Sequence, residues 1–345
     1  MGLVPAGNFT KRMKHYRRLL FIAALSLLMV LALVKLGRVE ISLNTLKRVH
    51  AGWYGLVIVS FYASVAARGW RWRRILHEMG HPVGLVYASA LLTAGLFLSA
   101  ILPARAGDLG RLAMLKQDHD VPIAVGLASI AAERVLDVFA LLVLAGVGGW
   151  LALSGHLPPE VVQLLTGVTS LMAVGLVGLV AVPGLEQRLV DLPGLGRLPL
   201  RVQSLYRRGL DFGLTMVNSI RLLTRRPAAL AVIVGQSFFI WLWDGVIIYF
   251  ILLSLNIVRP FSISLFTAMT GALAAAIPLT PGALGQYDAA LISLLALFGL
   301  PTADGSLTVL LLRVVQLWTF IPVSGLVTYV FGFSRALSLG EGRDV

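Results

Sequence analysis

Residues 121–153 read VPIAVGLASIAAERVLDVFALLVLAGVGGWLAL. The run exceeds the roughly 20 apolar residues that a helix needs to cross the hydrocarbon core of a bilayer. Glu133, Arg134 and Asp137 interrupt its middle. At about 1.5 Å of rise per residue, they fall near mid-depth. A charge there costs a few kcal/mol on insertion scales, so such residues are functional candidates by default. Glu133 and Asp137 are four apart and share a helix face, with Arg134 beside them in reach of a neighbouring helix.

The rest of the chain suits the same solvent. Of 345 residues, 58% are hydrophobic and 13% charged, with a mean hydropathy of +0.87. A soluble domain carries roughly twice that charged fraction. The net charge of +13 is spread as arginines flanking apolar runs, which fits topology and anionic headgroups better than nucleic acid. There is no Cys, hence no disulfide frame and no thiolate chemistry. No Walker A loop, G-x-S-x-G or H-E-x-x-H motif occurs. His77 and His81 lack a third ligand nearby, so no metal is expected, and no cofactor. Asn8-Phe9-Thr10 matches the glycosylation pattern on an end that reads as cytoplasmic. Trp53, Tyr54, Trp70, Trp72 and Trp150 read as interface anchors.

Six full spans are expected, over 19–36, 53–67, 121–153, 161–182, 228–255 and 307–333. The first follows Lys11, Arg12, Lys14, Arg17 and Arg18, and it is too long for a signal-peptide core. Two more apolar stretches, 85–102 and 263–300, are broken by Pro and Gly. Positive residues mark the cytoplasmic side. They place inside the N-terminus, 68–77 (Arg68, Arg71, Arg73, Arg74), the arginine-rich 183–227 connection and the C-terminal tail. The loops 154–160 and 301–306, without Lys or Arg, go outside. The loop 37–52, with Arg38, Lys47 and Arg48, is one violation. On this count 85–120 starts and ends inside, whereas 263–300 starts and ends outside. Each is then a re-entrant hairpin, and the two dip in from opposite faces. Such backbone survives in the membrane only when buried in protein or lining a wet cavity.

The broken stretches share a pattern. Pro103-Ala-Arg-Ala-Gly107-Asp-Leu-Gly110 and Pro278-Leu-Thr-Pro281-Gly282-Ala-Leu-Gly285 both read P-x-x-x-G-x-L-G. With the parity count, this predicts an all-α integral membrane protein of one domain, 1–345, with an inverted-topology repeat. Repeat one covers about 52–153 and repeat two about 228–333. An amphipathic cytoplasmic connector over about 183–227 joins them, a surface for lipid headgroups or a partner protein. Inverted repeats with broken helices at matching positions point to a transporter site between the halves. The alternative is that Pro and Gly only kink packed helices.

Pro103 to Arg111, then Ala132-Glu133-Arg134-Val-Leu-Asp137, then Pro281-Gly-Ala-Leu-Gly-Gln286-Tyr-Asp288, and finally Arg313 resemble a known family. It is the flippase-like family named after the transmembrane region of lysylphosphatidylglycerol synthase. The resemblance covers nearly the whole chain. The family usually has Glu at the place of Asp288, and often at that of Asp108; the carboxylate is kept in both. The resemblance implies movement of a lipid, or of a lipid-linked headgroup, between leaflets. In the synthase a separate soluble domain makes the aminoacyl lipid. The last span here ends near 333, so the flippase half is expected, and not the synthase activity.

The candidate substrate-binding residues are Arg105, Asp108, Arg111, Glu133, Arg134, Asp137, Asp244, Gln286, Asp288, Arg313 and Gln316. Guanidinium groups at Arg105, Arg111, Arg134 and Arg313 suit a lipid phosphate. The half-helices after Gly107 and Gly282 would aim their N-termini at the same place, where free N–H groups favour an anion. Glu133, Asp137, Asp244 and Asp288 would pair the arginines, carry protons or bind a cationic headgroup. Pro103, Gly107, Gly110, Pro278, Pro281, Gly282 and Gly285 are the expected hinges. Plainer readings stand beside these. Glu133 and Arg134 can form a bridge that only fixes packing, Asp108 can cap its half-helix, Arg111 can snorkel to the surface, and Asp288 can sit at a wet mouth without a role.

Three function classes remain open. One is a lipid flippase or scramblase of an inner (plasma) membrane, with both termini cytoplasmic and no ATP drive in this chain. Another is an intramembrane enzyme acting on a lipid-linked substrate. The third is a scaffold for a cytoplasmic lipid-modifying partner. The expected ligands are membrane lipids, anionic phospholipid or lipid-linked phosphate, and a homo-oligomer is open.

Overall fold

The computed structural model describes residues 49–101, 106–153, 225–275, 283 and 285–331, with scattered positions between 163 and 223. The expected spans 19–36 and 161–182, most of the 183–227 connection, and Pro103, Arg105, Pro278, Pro281 and Gly282 lie outside the described residues. All regular elements among the described residues are helices: α1 (Ala51–Glu78), α2 (Leu85–Ile101), α3 (Ala106–His119), α4 (Ile123–Ala152), α5 (Pro227–Ser254), α6 (Phe261–Ala274), α7 (Gln286–Leu297) and α8 (Thr302–Val330). The protein is an all-α integral membrane protein.

Three helices, α4, α5 and α8, are long and apolar enough to cross a membrane. Helix α1 is 28 residues long, about 42 Å at 1.5 Å per residue, but carries four arginines. The expected span 53–67 is therefore too short, because the helix runs on through the basic stretch 68–77. Arg71 and Trp72 there are fully buried. The stretch continues the helix because nothing in Ala51–Glu78 breaks it. Gly80, with φ at 87°, lies just past its end. Pro122, Pro260 and Pro301 precede α4, α6 and α8 with φ between −54° and −57°, the angle that the proline ring fixes.

Contacts along the helices give their directions. His50 N–H donates to the Ser254 carbonyl at 2.7 Å, Trp53 stacks near Phe250, Arg71 reaches Ser237, and Arg226 pairs with Glu78 at 3.0 Å. Helices α1 and α5 are thus antiparallel along their whole length. Tyr54 bonds the Leu311 carbonyl and Tyr62 bonds Thr319, so α8 runs with α1. Phe139 meets Phe238, and Gly148 and Gly245 both abut Leu265, so α4 runs with α5. The hairpin α2–α3 follows the Glu78 end, and α6–α7 follows the Ser254 end. The first limbs cross over: Phe97 of α2 lies against Gly325 of α8, and α6 packs on α4 at Gly148.

Among the described residues a small apolar cluster joins Leu252, Leu295 and Leu300, and two large ones form most of the interior. One joins Trp72, Ile75, Leu91, Leu115, Ala128 and Ile233. The other joins Val57, Leu141, Ile248, Met269, Leu291 and Leu312. Between them lies a polar layer. Its members are Ser60, Ser64, Arg68 and Arg71 of α1, Glu133 and Asp137 of α4, and Ser237, Trp241 and Asp244 of α5.

Candidate functional site

Three arginines and three carboxylates close a ring in that layer. Arg71 Nη1 donates to Asp137 Oδ1 at 2.6 Å, and its Nη2 to Glu133 Oε1 at 3.0 Å. Glu133 Oε2 accepts from Arg111 Nη2 at 3.2 Å. Arg111 Nη1 reaches Asp108 Oδ1 at 3.4 Å, and Asp108 Oδ2 accepts from Arg134 Nη2 at 3.2 Å. Arg134 Nη1 returns to Asp137 Oδ2 at 3.8 Å. Positive and negative groups alternate and sum to zero. Burial is tolerable only because each charge faces opposite charges.

The local sequence explains the geometry. The four-residue spacing of Glu133 and Asp137 on α4 lets Arg71 grip both with one guanidinium. Ser237 Oγ also accepts from Arg71 at 2.8 Å, and Trp241 Nε1 donates to Asp137 at 2.9 Å. Arg111 stacks over the Trp72 ring at 4.0 Å. It gets there through a notch, since a Cβ on Gly95 would lie 2.5 Å from Arg111 Cδ. Gly107 presses on the same place: its Cβ would meet the Gly95 carbonyl oxygen at 1.8 Å. Gly107 thus serves close approach of α2 and α3. Beside the ring, Arg68 pairs with Asp244 at 2.6 Å, Ser64 donates to Asp244 at 2.9 Å, and Arg68 lies over Trp241. At the end of α3, outside the apolar helices, Lys116 pairs with Asp120 just beyond the helix and holds its carboxyl below the usual range.

A second group forms at α7 and α8. Arg313 Nε donates to Asp288 Oδ1 at 2.7 Å, Arg313 Nη1 donates to Gln316 at 3.5 Å, and the guanidinium lies over Tyr287. The Gly285 N–H donates to Asp288 at 2.7 Å. Helix α7 begins at Gln286, later than a half-helix starting after Gly282. Ala283 (φ 51°) and Gly285 (φ 83°) hold the chain out of the right-handed helix until then. Directly after Arg313, a π-helical turn spans Val314–Thr319, a feature frequent at functional sites.

The candidates therefore divide. Asp108, Arg111, Glu133, Arg134 and Asp137 share the ring, Asp244 lies next to it, and Asp288, Arg313 and Gln316 form the second group. Gln286 turns to the Ala274 carbonyl. Among the described residues no ion pair links the two groups, so the arginines do not converge on one point. Arg111 is buried because its partner Glu133 lies inside, which rules out snorkelling. Asp288 is buried too, not at a wet mouth, because Arg313 holds it. The sequence reading missed Arg68 and Arg71 as site residues, having taken them for cytoplasmic markers. The signal was there: Ser60, Ser64, Arg68 and Arg71 recur every three or four residues, one polar stripe on a helix.

The two groups share a plan: an Asp near the start of α3 or α7 pairs with an Arg that is the twelfth residue of α4 or α8, Asp108 with Arg134 and Asp288 with Arg313. In the P-x-x-x-G-x-L-G register the place of Asp108 falls on Ala283, five residues before Asp288. Arg134-Val135-Leu136-Asp137 stands against Arg313-Val314-Val315-Gln316. Helices α1 and α5 have 28 residues each, and α4 and α8 have 30 and 29.

Known proteins are similar to this chain in sequence. A UPF0104 membrane protein of Methanocaldococcus jannaschii is 25% identical over 236 residues, 68% of this chain and 94% of its own. One of Methanothermobacter thermautotrophicus is 24% identical, covering 86% of this chain and 88% of its own. The glycosyltransferase AglD of Haloferax volcanii is 29% identical over 309 residues, 81% of this chain, which spans only 48% of AglD. No solved structure matches. The family model described as the lysylphosphatidylglycerol synthase TM region matches residues 18–324, and the chain belongs to that family.

Proposed function

We propose that this protein moves a lipid, or a lipid-linked headgroup, between the leaflets of an inner (plasma) membrane. The observation that carries this reading is the neutral ring of arginines and carboxylates, mostly buried and built around Glu133, Arg134 and Asp137 in the middle of α4, a helix able to span a bilayer. A site that only fixed packing would need one or two such pairs; six alternating charges offer exchangeable partners to a charged headgroup. Buried donor atoms support an acceptor-rich ligand. Arg71 Nε, Arg111 Nε and Arg313 Nη2 have no hydrogen-bond partner among the described residues, and a phosphate supplies several acceptors. The preferred ligand is an anionic phospholipid or a lipid-linked phosphate.

Six full spans and two re-entrant hairpins in an inverted repeat fit the reading, with both termini cytoplasmic. Opposed α1 and α5, hairpins leaving from opposite ends, and the shared Asp–Arg plan all support it. The 183–227 connection would face the cytoplasm and receive any lipid-modifying partner.

The glycosyltransferase name of AglD, of which this chain spans 48%, favours a second reading, an enzyme; we take its substrate to be lipid-linked. The ring argues against it. Glu133 and Asp137 each face two arginines, so their oxygens are engaged and neither is placed to take a proton from a substrate.

The test is leaflet exchange in liposomes. Labelled lipids with anionic, zwitterionic, cationic and polyprenyl-phosphate headgroups are compared for wild type, Arg134→Gln and Arg313→Gln. Headgroup-selective exchange, lost in Arg134→Gln, is expected. Folded protein that moves no lipid above empty liposomes, with or without a proton gradient, would leave the enzyme and scaffold readings ahead.

A further inference from the structure

We infer that the two hairpins are not equivalent: α2–α3 is the gate that opens, and α6–α7 stays shut. This rests on the transport reading and adds which element moves.

The argument is charge balance across each hinge. The gate half of the ring is α3, which contributes Asp108 and Arg111, already paired three residues apart. The other half is Arg71 of α1 with Glu133, Arg134 and Asp137 of α4, paired among themselves. Both halves sum to zero. Two ion pairs cross between them, Arg111–Glu133 and Asp108–Arg134, beside the stacking of Arg111 on Trp72 of α1. When α3 lifts from α4 these break, yet every charge keeps an opposite partner on its own side. The α6–α7 hairpin is built otherwise. From 261 to 300 its single charged residue is Asp288, and its partner Arg313 belongs to α8. Lifting α7 strands a carboxylate on one side and a guanidinium on the other, the situation that buried pairs resist most.

Exposure separates the hairpins at one of these links. Asp108 and Arg134 are 22% and 40% exposed, whereas Arg111 and Glu133 are 3% and 5% exposed, as closed as Arg313 and Asp288 at 6% and 2%. A headgroup can take over the Asp108–Arg134 link as it breaks, an opening that the α7–α8 pair does not offer. The hairpin also moves as a body. Gly107 and Gly95 bring the backbones of α2 and α3 together, and the Arg111 stem fills the notch at Gly95. Arg111 therefore leaves Glu133 with its helix.

Spin labels test this without any transport assay. The chain is free of cysteine, so pairs can be placed at exposed sites. Lys116→Cys on α3 with His77→Cys on α1 reports the first hairpin; Leu297→Cys on α7 with Trp53→Cys on α1 reports the second. Double electron–electron resonance in lipid nanodiscs should give two populations for the first pair, one longer, and a single population for the second. Asp108→Asn and Arg111→Gln each leave α3 with a stranded charge and should reduce the long population roughly tenfold. The double variant, with the α3 half of the ring neutral again and no ion pair to α4, should restore or exceed it. A single unchanging distance for 116–77, equal movement of both hairpins, or movement of 297–53 alone would overturn the inference. So would a double variant no more open than either single one. Lipid exchange without α3 movement would refute the gate and keep the transport reading, while α3 movement without exchange would do the reverse.

Discussion

Arg71 has no solvent exposure and bonds Asp137, Glu133 and Ser237. Its removal leaves two carboxylates without their shared cation. Arg71→Met should lower stability by about 3–5 kcal/mol, as breaking a buried pair from one side does. Thermal unfolding in detergent, followed by tryptophan fluorescence, measures it. Arg71→Lys should recover little, because one ammonium cannot span two carboxylates as a guanidinium does. Arg134 differs in being 40% exposed. Arg134→Gln should cost less than about 1 kcal/mol while abolishing exchange, so stability and transport separate at two arginines of one ring. The difference between them was only half legible in the sequence. Arg134 stood alone in an apolar run and declared itself. Arg71 stood among four arginines, where a topology marker and a buried ligand look alike until Glu133 and Asp137 are seen opposite.

At the scale of the element, the division of 85–120 and 263–300 into two helices each was legible because Pro and Gly disfavour helix interiors. What each glycine does was not, since that depends on a neighbour distant in sequence. Gly107 was expected as a hinge, and it is a contact point: an added Cβ would sit 1.8 Å from the Gly95 carbonyl oxygen. Backbone cannot give way as a side chain can. Gly107→Ala should therefore destabilise by about 1–3 kcal/mol, as overpacking does, and should draw Arg111 off Glu133. Gly110→Ala meets only the tip of Leu98, at 2.8 Å, which can rotate. Its effect should stay within about 1 kcal/mol. Unfolding midpoints of the two variants, measured side by side, give the answer, and equal losses would refute the contact role. The π-helical turn after Arg313 had no sequence signal at all. It contains no Pro or Gly, and its register follows from Arg313 being held by Asp288 while Thr319 meets Tyr62.

For the whole molecule, the alternation of arginine-rich and arginine-free loops leads to the expectation that the hairpins enter from opposite faces, although 37–52 runs against it. The independent support is the seam between α1 and α5. Because these helices are antiparallel from His50–Ser254 at one end to Glu78–Arg226 at the other, the segments that follow them begin at opposite ends. The turn at Lys116 and the turn at Val258, which is 79% exposed, should then meet water on opposite sides. Lys116→Cys and Val258→Cys, made singly in the cysteine-free chain, can be tested with an impermeant maleimide on right-side-out and inverted vesicles. Lys116→Cys should react in inverted vesicles and Val258→Cys in right-side-out ones. If both react from one face, α1 and α5 do not span the bilayer as opposed helices. The ring would then be open to one leaflet only, which is what an enzyme requires and a lipid transporter cannot use.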